Sequence, residues 1–171
     1  MKMKRNFVKV IGGTVLALMI ISGLTLGLVF AQNESIDERS ENRGDRLEGT
    51  WDVQVTIRNC QTGAAIRTFA SITTFMSGGT LLDSTSGIPQ ALHTPGHGIW
   101  NYTGGRNYRF KFKSFNFDAG GNFTGWTIIN HEVNLNRRAD DYESAGTSEI
   151  YAPNGNLIAT GCSTTTAARF E

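Results

Sequence analysis

The sequence predicts an all-β domain, an eight-stranded antiparallel up-and-down barrel that follows an N-terminal signal segment. Two observations lead to this prediction. From Gly49 onward the chain consists of short runs that alternate apolar and polar residues, with clusters of Gly, Asn and Asp between them. No stretch of useful length has the apolar period of a helix. The two cysteines lie near opposite ends of this region, where they can join its first and last strands.

The first 31 residues have the layout of a secretory signal. Residues 1–9 are basic, residues 10–30 carry no charge, and Val29-Phe30-Ala31 suits cleavage before Gln32. The uncharged run spans 21 residues. That is longer than the apolar part of a usual signal and long enough to cross a bilayer. We therefore predict export, to the outside or to the cell envelope, with a cleaved signal peptide. An uncleaved membrane anchor is the alternative.

Residues 32–48 are dense in charge and nearly free of apolar side chains. Such a segment cannot bury enough apolar surface to order itself, so we predict a charged flexible linker, with a short amphipathic helix as the alternative. Residues 49–171 form the predicted barrel domain, and they hold nine basic and nine acidic side chains. Because nucleic-acid binding needs a basic surface, we expect no nucleic-acid partner.

Eight alternating runs are the predicted strands. Their approximate bounds are 50–58, 65–77, 79–86, 98–103, 106–118, 122–136, 141–152 and 156–170. Most of the clusters between them contain Gly-Gly or Asn-Gly, as at Gly104-Gly105 and Asn154-Gly155, and these pairs supply the positive φ angles that tight hairpins need. Sequential hairpins give an antiparallel meander, which can form a sandwich or a barrel. Closure into a barrel removes the exposed sheet edges and is our prediction.

The alternation also predicts which side chains point inward. In the first strand these are Trp51, Val53, Val55 and Ile57, and in the sixth they are Phe123, Thr127, Ile129, His131, Val133 and Leu135. In the fifth strand Phe110 and Phe112 share the inner face, but Phe115 has the opposite parity. One extra residue near Ser114 would turn Phe115 inward, so we predict a β-bulge there.

The cysteines give an independent indication of closure. If the first and last strands pair antiparallel with Trp51 facing Arg169, then Cys60 lies within one diagonal step of Cys162. Oxidation is expected in an exported protein. We therefore predict a Cys60–Cys162 disulfide that locks the barrel shut, with two unrelated buried thiols as the alternative.

The start of the barrel domain resembles a known family. Gly49-Thr50-Trp51, which follows a polar segment and opens the first strand, resembles the G-x-W element of lipocalins and their calycin relatives. In those up-and-down barrels an Arg of the last strand packs over the Trp. The resemblance implies that Arg169 lies over Trp51, a contact of about 0.5–2 kcal/mol. The whole segment 49–171, which holds HTPGHGIW at residues 93–100, is also similar to secreted bacterial barrels that contain a His-x-Pro-Gly-His-Gly-x-Trp stretch and have no assigned activity.

Binding of a small apolar or amphipathic ligand inside the barrel is the predicted function. Strands seven and eight present small side chains inward, opposite large aromatic ones. This unequal filling can leave a cavity, or the two sets can pack solidly. The predicted contacts are His131, Ile129, Phe110, Phe112 and Trp100 from the strands, with Leu92 and His93 from the loop 84–97. That long loop is either a lid over the ligand or a structural flap.

Metal binding and catalysis have weaker support than ligand binding. His93, His97 and His131 lack the further ligands of a zinc site, so we expect no metal, and no motif predicts a cofactor. Interior His131 either bonds to neighbouring hydroxyls or serves a barrel isomerase or cyclase of the allene-oxide-cyclase or dirigent type.

Two outer-face features bear on the remaining alternatives. The acidic residues Glu132, Glu143 and Glu149 are predicted outward, so no interior acid pair supports acid–base catalysis. Outward Trp126 and Ile128 would suit a structural or adhesive protein of the cell envelope. The sequence does not predict an oligomeric state.

Overall fold

Residues 45–171, which the computed structural model describes, form a closed barrel of eight antiparallel strands. The strands follow one another around the barrel in chain order, and the last pairs with the first. The predicted fold class is confirmed. The predicted signal segment, residues 1–31, and residues 32–44 of the predicted linker lie outside the described residues. Within residues 45–171 no helix is long and apolar enough to cross a membrane.

The strands match the predicted runs to within two residues at each end. They are β1 (Gly49–Arg58), β2 (Ala65–Met76), β3 (Thr80–Thr85), β4 (Gly96–Gly104), β5 (Asn107–Phe117), β6 (Phe123–Leu135), β7 (Asp141–Tyr151) and β8 (Leu157–Arg169). One 3₁₀ turn, Asp45–Leu47, precedes β1, and another, Gln90–Leu92, lies in the loop between β3 and β4.

The folded unit includes residues 45–48, which the charge pattern assigns to the flexible linker. Leu47 is fully buried, and its carbonyl accepts a hydrogen bond of 2.9 Å from the indole N–H of Trp51. Leu47 and the carbonyls of Arg46 and Glu48, which accept hydrogen bonds from Arg169, thus anchor this part of the segment to the barrel. Composition averaged over a window does not reveal such an anchor.

The β1–β8 seam has the predicted register. Pairing runs without a shift from Trp51–Arg169 to Arg58–Cys162. Cys60 lies just beyond the end of β1 and forms a disulfide with Cys162, so the predicted disulfide is confirmed. The bond links positions 102 residues apart and covers the seam at the barrel end where β1 terminates.

At the other end of the seam, Arg169 lies over Trp51, as the family resemblance implies. The guanidinium carbon is 4.3 Å from the centre of the indole ring. The same guanidinium donates hydrogen bonds to three backbone carbonyls, those of Arg46, Glu48 and Ala139. A planar group with several fixed donors is suited to this arrangement. Arg169 therefore joins β8, the 3₁₀ turn before β1 and the β6–β7 connection.

The core fills the barrel half that contains Trp51, which we call the closed end. The buried apolar side chains are Leu47, Trp51, Val53, Phe75, Leu81, Trp100, Tyr108, Phe110, Val133, Leu135, Tyr142 and Ala167. Several of their rings meet edge to face, as between Trp51 and Tyr142, whose centroids are 4.9 Å apart. This geometry is favourable for aromatic pairs.

The predicted bulge near Ser114 is wrong. Pairing between β5 and β6 is unbroken from Asn107 to Asn116, and it shifts only between Asn116 and Phe117. Strand β5 keeps one parity throughout, so Ser114 faces inward and Phe115 faces outward with 46% of its surface exposed.

The irregularity lies in β6, at Gly125. Asn116 pairs with Gly125 and Phe117 with Phe123, which leaves Thr124 as the extra residue of a bulge. Gly125 has φ of 126°, and a Cβ there would lie 1.9 Å from the carbonyl oxygen of Tyr151. The bulge turns Phe123 to the outer face, where it contacts Phe115 and Phe117. The predicted inward direction of Phe123 is therefore wrong.

Removing the disulfide is expected to destabilise the barrel without changing its fold. The double substitution Cys60→Ala, Cys162→Ala frees a long loop in the unfolded chain and should lower the free energy of unfolding by about 2–4 kcal/mol. Urea unfolding with and without reductant measures this. Reductant should lower the free energy of unfolding of the natural chain and leave that of the double variant unchanged. If the oxidised natural chain and the double variant unfold at the same urea concentration, the disulfide does not stabilise the barrel.

Replacing Arg169 with Lys is expected to lower the free energy of unfolding by about 1–3 kcal/mol, because a point charge cannot serve three carbonyls and an indole face together. Thermal or urea unfolding measures the change. Arg138→Lys is the matched control, since Arg138 has 80% of its side chain exposed. If both substitutions lower the free energy of unfolding equally, the contacts of the Arg169 guanidinium do not stabilise the closed end.

Candidate functional site

The half of the barrel away from the closed end contains a cavity of about 220 Å³. All eight strands and the β3–β4 loop contribute to its lining. A cavity of about 150 Å³ can hold benzene, whereas pockets for drug-sized ligands have about 300–1,000 Å³. The cavity therefore has room for one ring with a short arm.

The lining changes in character along the barrel axis. The floor, nearest the closed end, contains the polar side chains of Thr73, Asp83, His131, Tyr142 and Thr165 beside Val53 and Phe110 of the core. The wall is mostly apolar and includes Val55, Phe69, Phe112, Ile129 and Ile150. At the outer end the lining residues Arg67 and Ile88 are exposed, so the cavity opens to solvent there.

The loop 86–95 partly covers this opening. Its residues Gly87, Ile88, His93 and Thr94 line the cavity. The loop is fixed to β5, because the Thr94 N–H donates to the carbonyl of Phe115 and the Phe115 N–H donates to the Thr94 hydroxyl, both at 3.0 Å. It is thus an ordered cover attached to the rim.

His93 is buried and holds the loop from within. Its Nδ1 lies 2.8 Å from the carbonyl oxygen of Thr94, and its Nε2 lies 3.0 Å from that of Ile88. Carbonyl oxygens only accept hydrogen bonds, so each contact forms when the ring nitrogen that faces the carbonyl carries a proton. Both nitrogens face the backbone, and neither is left for a ligand.

His131 lies in the floor with both ring nitrogens occupied. Nδ1 is 2.7 Å from the Ser144 hydroxyl, and Nε2 is 2.8 Å from the Ser163 hydroxyl. The ring stacks on Phe110, and the position opposite it on β7 is Gly146, where a Cβ would lie 2.4 Å from His131 Cδ2. Burial lowers the pKa of His131 to about 4. It is therefore neutral at pH 7, and the two hydroxyls satisfy either neutral tautomer.

Asp83 is the interior functional group that sequence reasoning missed. It is only 8% exposed, and its Oδ2 accepts hydrogen bonds from the hydroxyls of Ser71 at 2.9 Å and Thr73 at 2.6 Å. Burial raises the pKa of Asp83, while the two hydroxyls and the charge of His93 oppose this shift. Burial beside Asp83 also raises the pKa of the Tyr142 phenol. A carboxyl group therefore forms part of the floor of an otherwise mostly apolar cavity.

The alternation in β3 explains why Asp83 was missed. Leu81 points inward and Leu82 outward with 38% of its surface exposed, so both parities of this strand begin with leucine. The hydrophobic pattern therefore cannot tell which face is buried. The turn before β3 and its pairing with β2 would give the parity, because Thr73 faces Asp83.

Five of the seven predicted ligand contacts line the cavity, namely His131, Ile129, Phe110, Phe112 and His93. Trp100 does not. It belongs to the closed-end core, where its indole N–H donates to the carbonyl of Met76 at 3.0 Å. Leu92 is half-buried in the second 3₁₀ turn and also lies outside the lining. An inward side chain is thus not always a cavity side chain.

The other candidate residues lie on the outer face. Glu132 and Glu143 are exposed, Glu149 is half-buried beside Tyr151, and His97 is exposed. In the part of the chain that the structure describes, no three His, Cys, Asp or Glu side chains converge as metal ligands. Trp126 and Ile128 are half-buried on the outer face, and Trp126 stacks on Tyr151 with the Lys113 ammonium 4.2 Å from its ring centre.

No protein family, no curated protein and no solved structure matches this chain. The function must therefore be argued from the geometry of the cavity.

The buried neutral state of His131 should make stability depend on pH. The pKa of His131 is lower in the folded chain than the ordinary value, so the unfolded chain binds the proton more readily. Stability is then full above about pH 6.5 and falls by roughly 3 kcal/mol as the pH drops to about 4. Urea unfolding at several pH values measures the slope.

His131→Asn should reduce this slope, and His97→Asn, which alters an exposed histidine, should not. NMR titration of the His131 ring measures its pKa in the folded chain directly. A midpoint near pH 6.5 would show that the ring is not buried in its neutral form.

Proposed function

We propose that this chain is an exported, lipocalin-like barrel protein that binds a small apolar or amphipathic molecule. The observation that carries the proposal is the cavity of about 220 Å³, closed at one end by the core and open to solvent at the other. Binding is favourable when an apolar wall covers an apolar ligand, because apolar surface is removed from water. A few polar groups fix the ligand's orientation.

Residues at the two ends of the barrel domain support kinship with lipocalins and calycins. Trp51 in the Gly49-Thr50-Trp51 element packs under Arg169 of the last strand. Export is supported by the signal-like layout of residues 1–31 and by the disulfide, because disulfides persist in oxidising compartments. The cell envelope and the extracellular space both fit these features.

The geometry favours binding over catalysis by His131. A barrel isomerase or cyclase that used His131 would need a ring nitrogen directed at its substrate. Both nitrogens bond to serine hydroxyls instead. The structural role that sequence reasoning left open for this residue therefore fits the contacts better.

Protein purified from its own host is expected to retain a small molecule. Native mass spectrometry should show an added mass that disappears after organic extraction. Val55→Trp, which places a large ring in the cavity wall, should abolish the added mass, because a cavity this small cannot hold both.

Gln54→Trp is the matched control, since Gln54 is the neighbouring residue of β1 and faces solvent. It should retain the molecule. If the natural chain carries no added mass and binds none of the aromatic probes named below, or if Val55→Trp binds as well as Gln54→Trp, the proposed function fails.

A further inference from the structure

We propose that the cavity selects a small aromatic amine, with its ammonium group on the carboxylate of Asp83 and its ring against the phenylalanines of the wall. This inference rests on the proposed function and names the ligand class of the same site.

The carboxylate of Asp83 has an unused acceptor. The hydrogen bonds from Ser71 and Thr73 both fall on Oδ2, and among residues 45–171 no hydrogen bond to Oδ1 is present. Asp83 belongs to the cavity lining. A buried carboxylate costs free energy unless it is paired, and a charge-assisted hydrogen bond is about twice as strong as a neutral one. An ammonium donor supplies both the hydrogen bond and the opposite charge.

The basic side chains of the lining do not supply that donor. His93 contributes charge near Asp83, but its two ring nitrogens bond to the carbonyls of Ile88 and Thr94. His131 bonds to Ser144 and Ser163. The donor for Oδ1 must therefore come from the ligand or from water.

Arg67 lies at the mouth, and its position argues against an anionic ligand. Its guanidinium is exposed, donates to the carbonyl of Gly87 at 2.6 Å and lies over the ring of Phe69. Solvent screens an exposed charge, whereas a charge at Asp83 acts in a medium of lower dielectric constant. Of these two charges, that of Asp83 therefore acts more strongly on a ligand in the cavity.

The apolar wall and the volume of the cavity determine the size and the aromatic character of the part of the ligand that carries the ammonium group. Phe110 and Phe112 stack with their centroids 6.0 Å apart, and both line the cavity beside the polar floor. Aromatic faces attract cations and pack well against a second ring. Since about 150 Å³ holds benzene, a cavity of about 220 Å³ accepts one ring and an arm of two or three atoms.

Calorimetric titration at pH 7 with four probes tests the proposal on protein that has been extracted to remove any retained molecule. The probes are 2-phenylethylamine, 2-phenylethanol, 3-phenylpropanoate and toluene. They share the ring and differ in charge and donor. The amine is cationic at this pH. We expect it to bind at least about tenfold more tightly than the alcohol and the carboxylate.

Asp83→Asn should abolish that preference, because the amide keeps the shape and the contacts with Ser71 and Thr73 but removes the charge. Asp52→Asn removes the same charge from the exposed face of β1 and should leave the preference intact. Binding of toluene to Asp83→Asn, seen as a rise in Tm, shows that the cavity of the variant is intact.

The outcomes separate the two proposals. If toluene binds and the amine has no preference over the alcohol on the natural chain, the ligand class is wrong and the proposed function stands. If Asp83→Asn keeps the preference, Asp83 does not select the ligand. If no probe binds and no molecule is retained from the host, both proposals fail. The comparison of probes on the natural chain needs no variant, so it decides the question even if Asp83→Asn does not fold.

Discussion

The β1–β8 seam is the constraint on which the other features of this barrel depend. A sheet of eight strands encloses a volume only if its first and last strands pair, and here the pairing is fixed at both ends by different chemistry. A disulfide between Cys60 and Cys162 holds one end, and the guanidinium of Arg169 over Trp51 holds the other. The register between these points is continuous. Because a one-residue slip would exchange the faces of a whole strand, this register also determines which side chains the cavity receives.

Along its axis the barrel divides into two halves, one filled by the core and the other containing the cavity. Large aromatic side chains fill the closed end, and their packing gives stability. Smaller residues such as Ser163 and Thr165 line the other half, so space remains there. The boundary between the halves carries polar side chains, among them Asp83 and His131. His131 is satisfied by hydroxyls, whereas Asp83 retains an acceptor. In the proposed function, that difference makes Asp83 the group that selects the ligand.

Much of this arrangement is predictable from the sequence, and the exceptions have physical causes. Alternation locates all eight strands and places His131 inside, and the sequence positions of Cys60 and Cys162, taken with Trp51 and Arg169, indicate the seam. Alternation fails where both parities carry apolar residues, as at Leu81 and Leu82, which hides Asp83. It also fails at the Gly125 bulge, because a bulge reverses parity without a hydrophobic signal and turns Phe123 outward. The depth of an inward residue along the barrel axis is also not encoded in parity, so Trp100 cannot be separated from the cavity lining before the register is known.

The contacts of Arg169 impose an order on how the chain can fold. This residue lies in the last strand, yet its guanidinium bonds to the carbonyls of Arg46 and Glu48, which precede the first. The residues that precede β1 therefore cannot complete their native contacts until nearly the whole domain has been synthesised. Sequence separations this large slow folding. Strand β1 can pair with β2 as soon as that strand emerges, but its other edge faces β8 and stays unpaired until the last strand has been made.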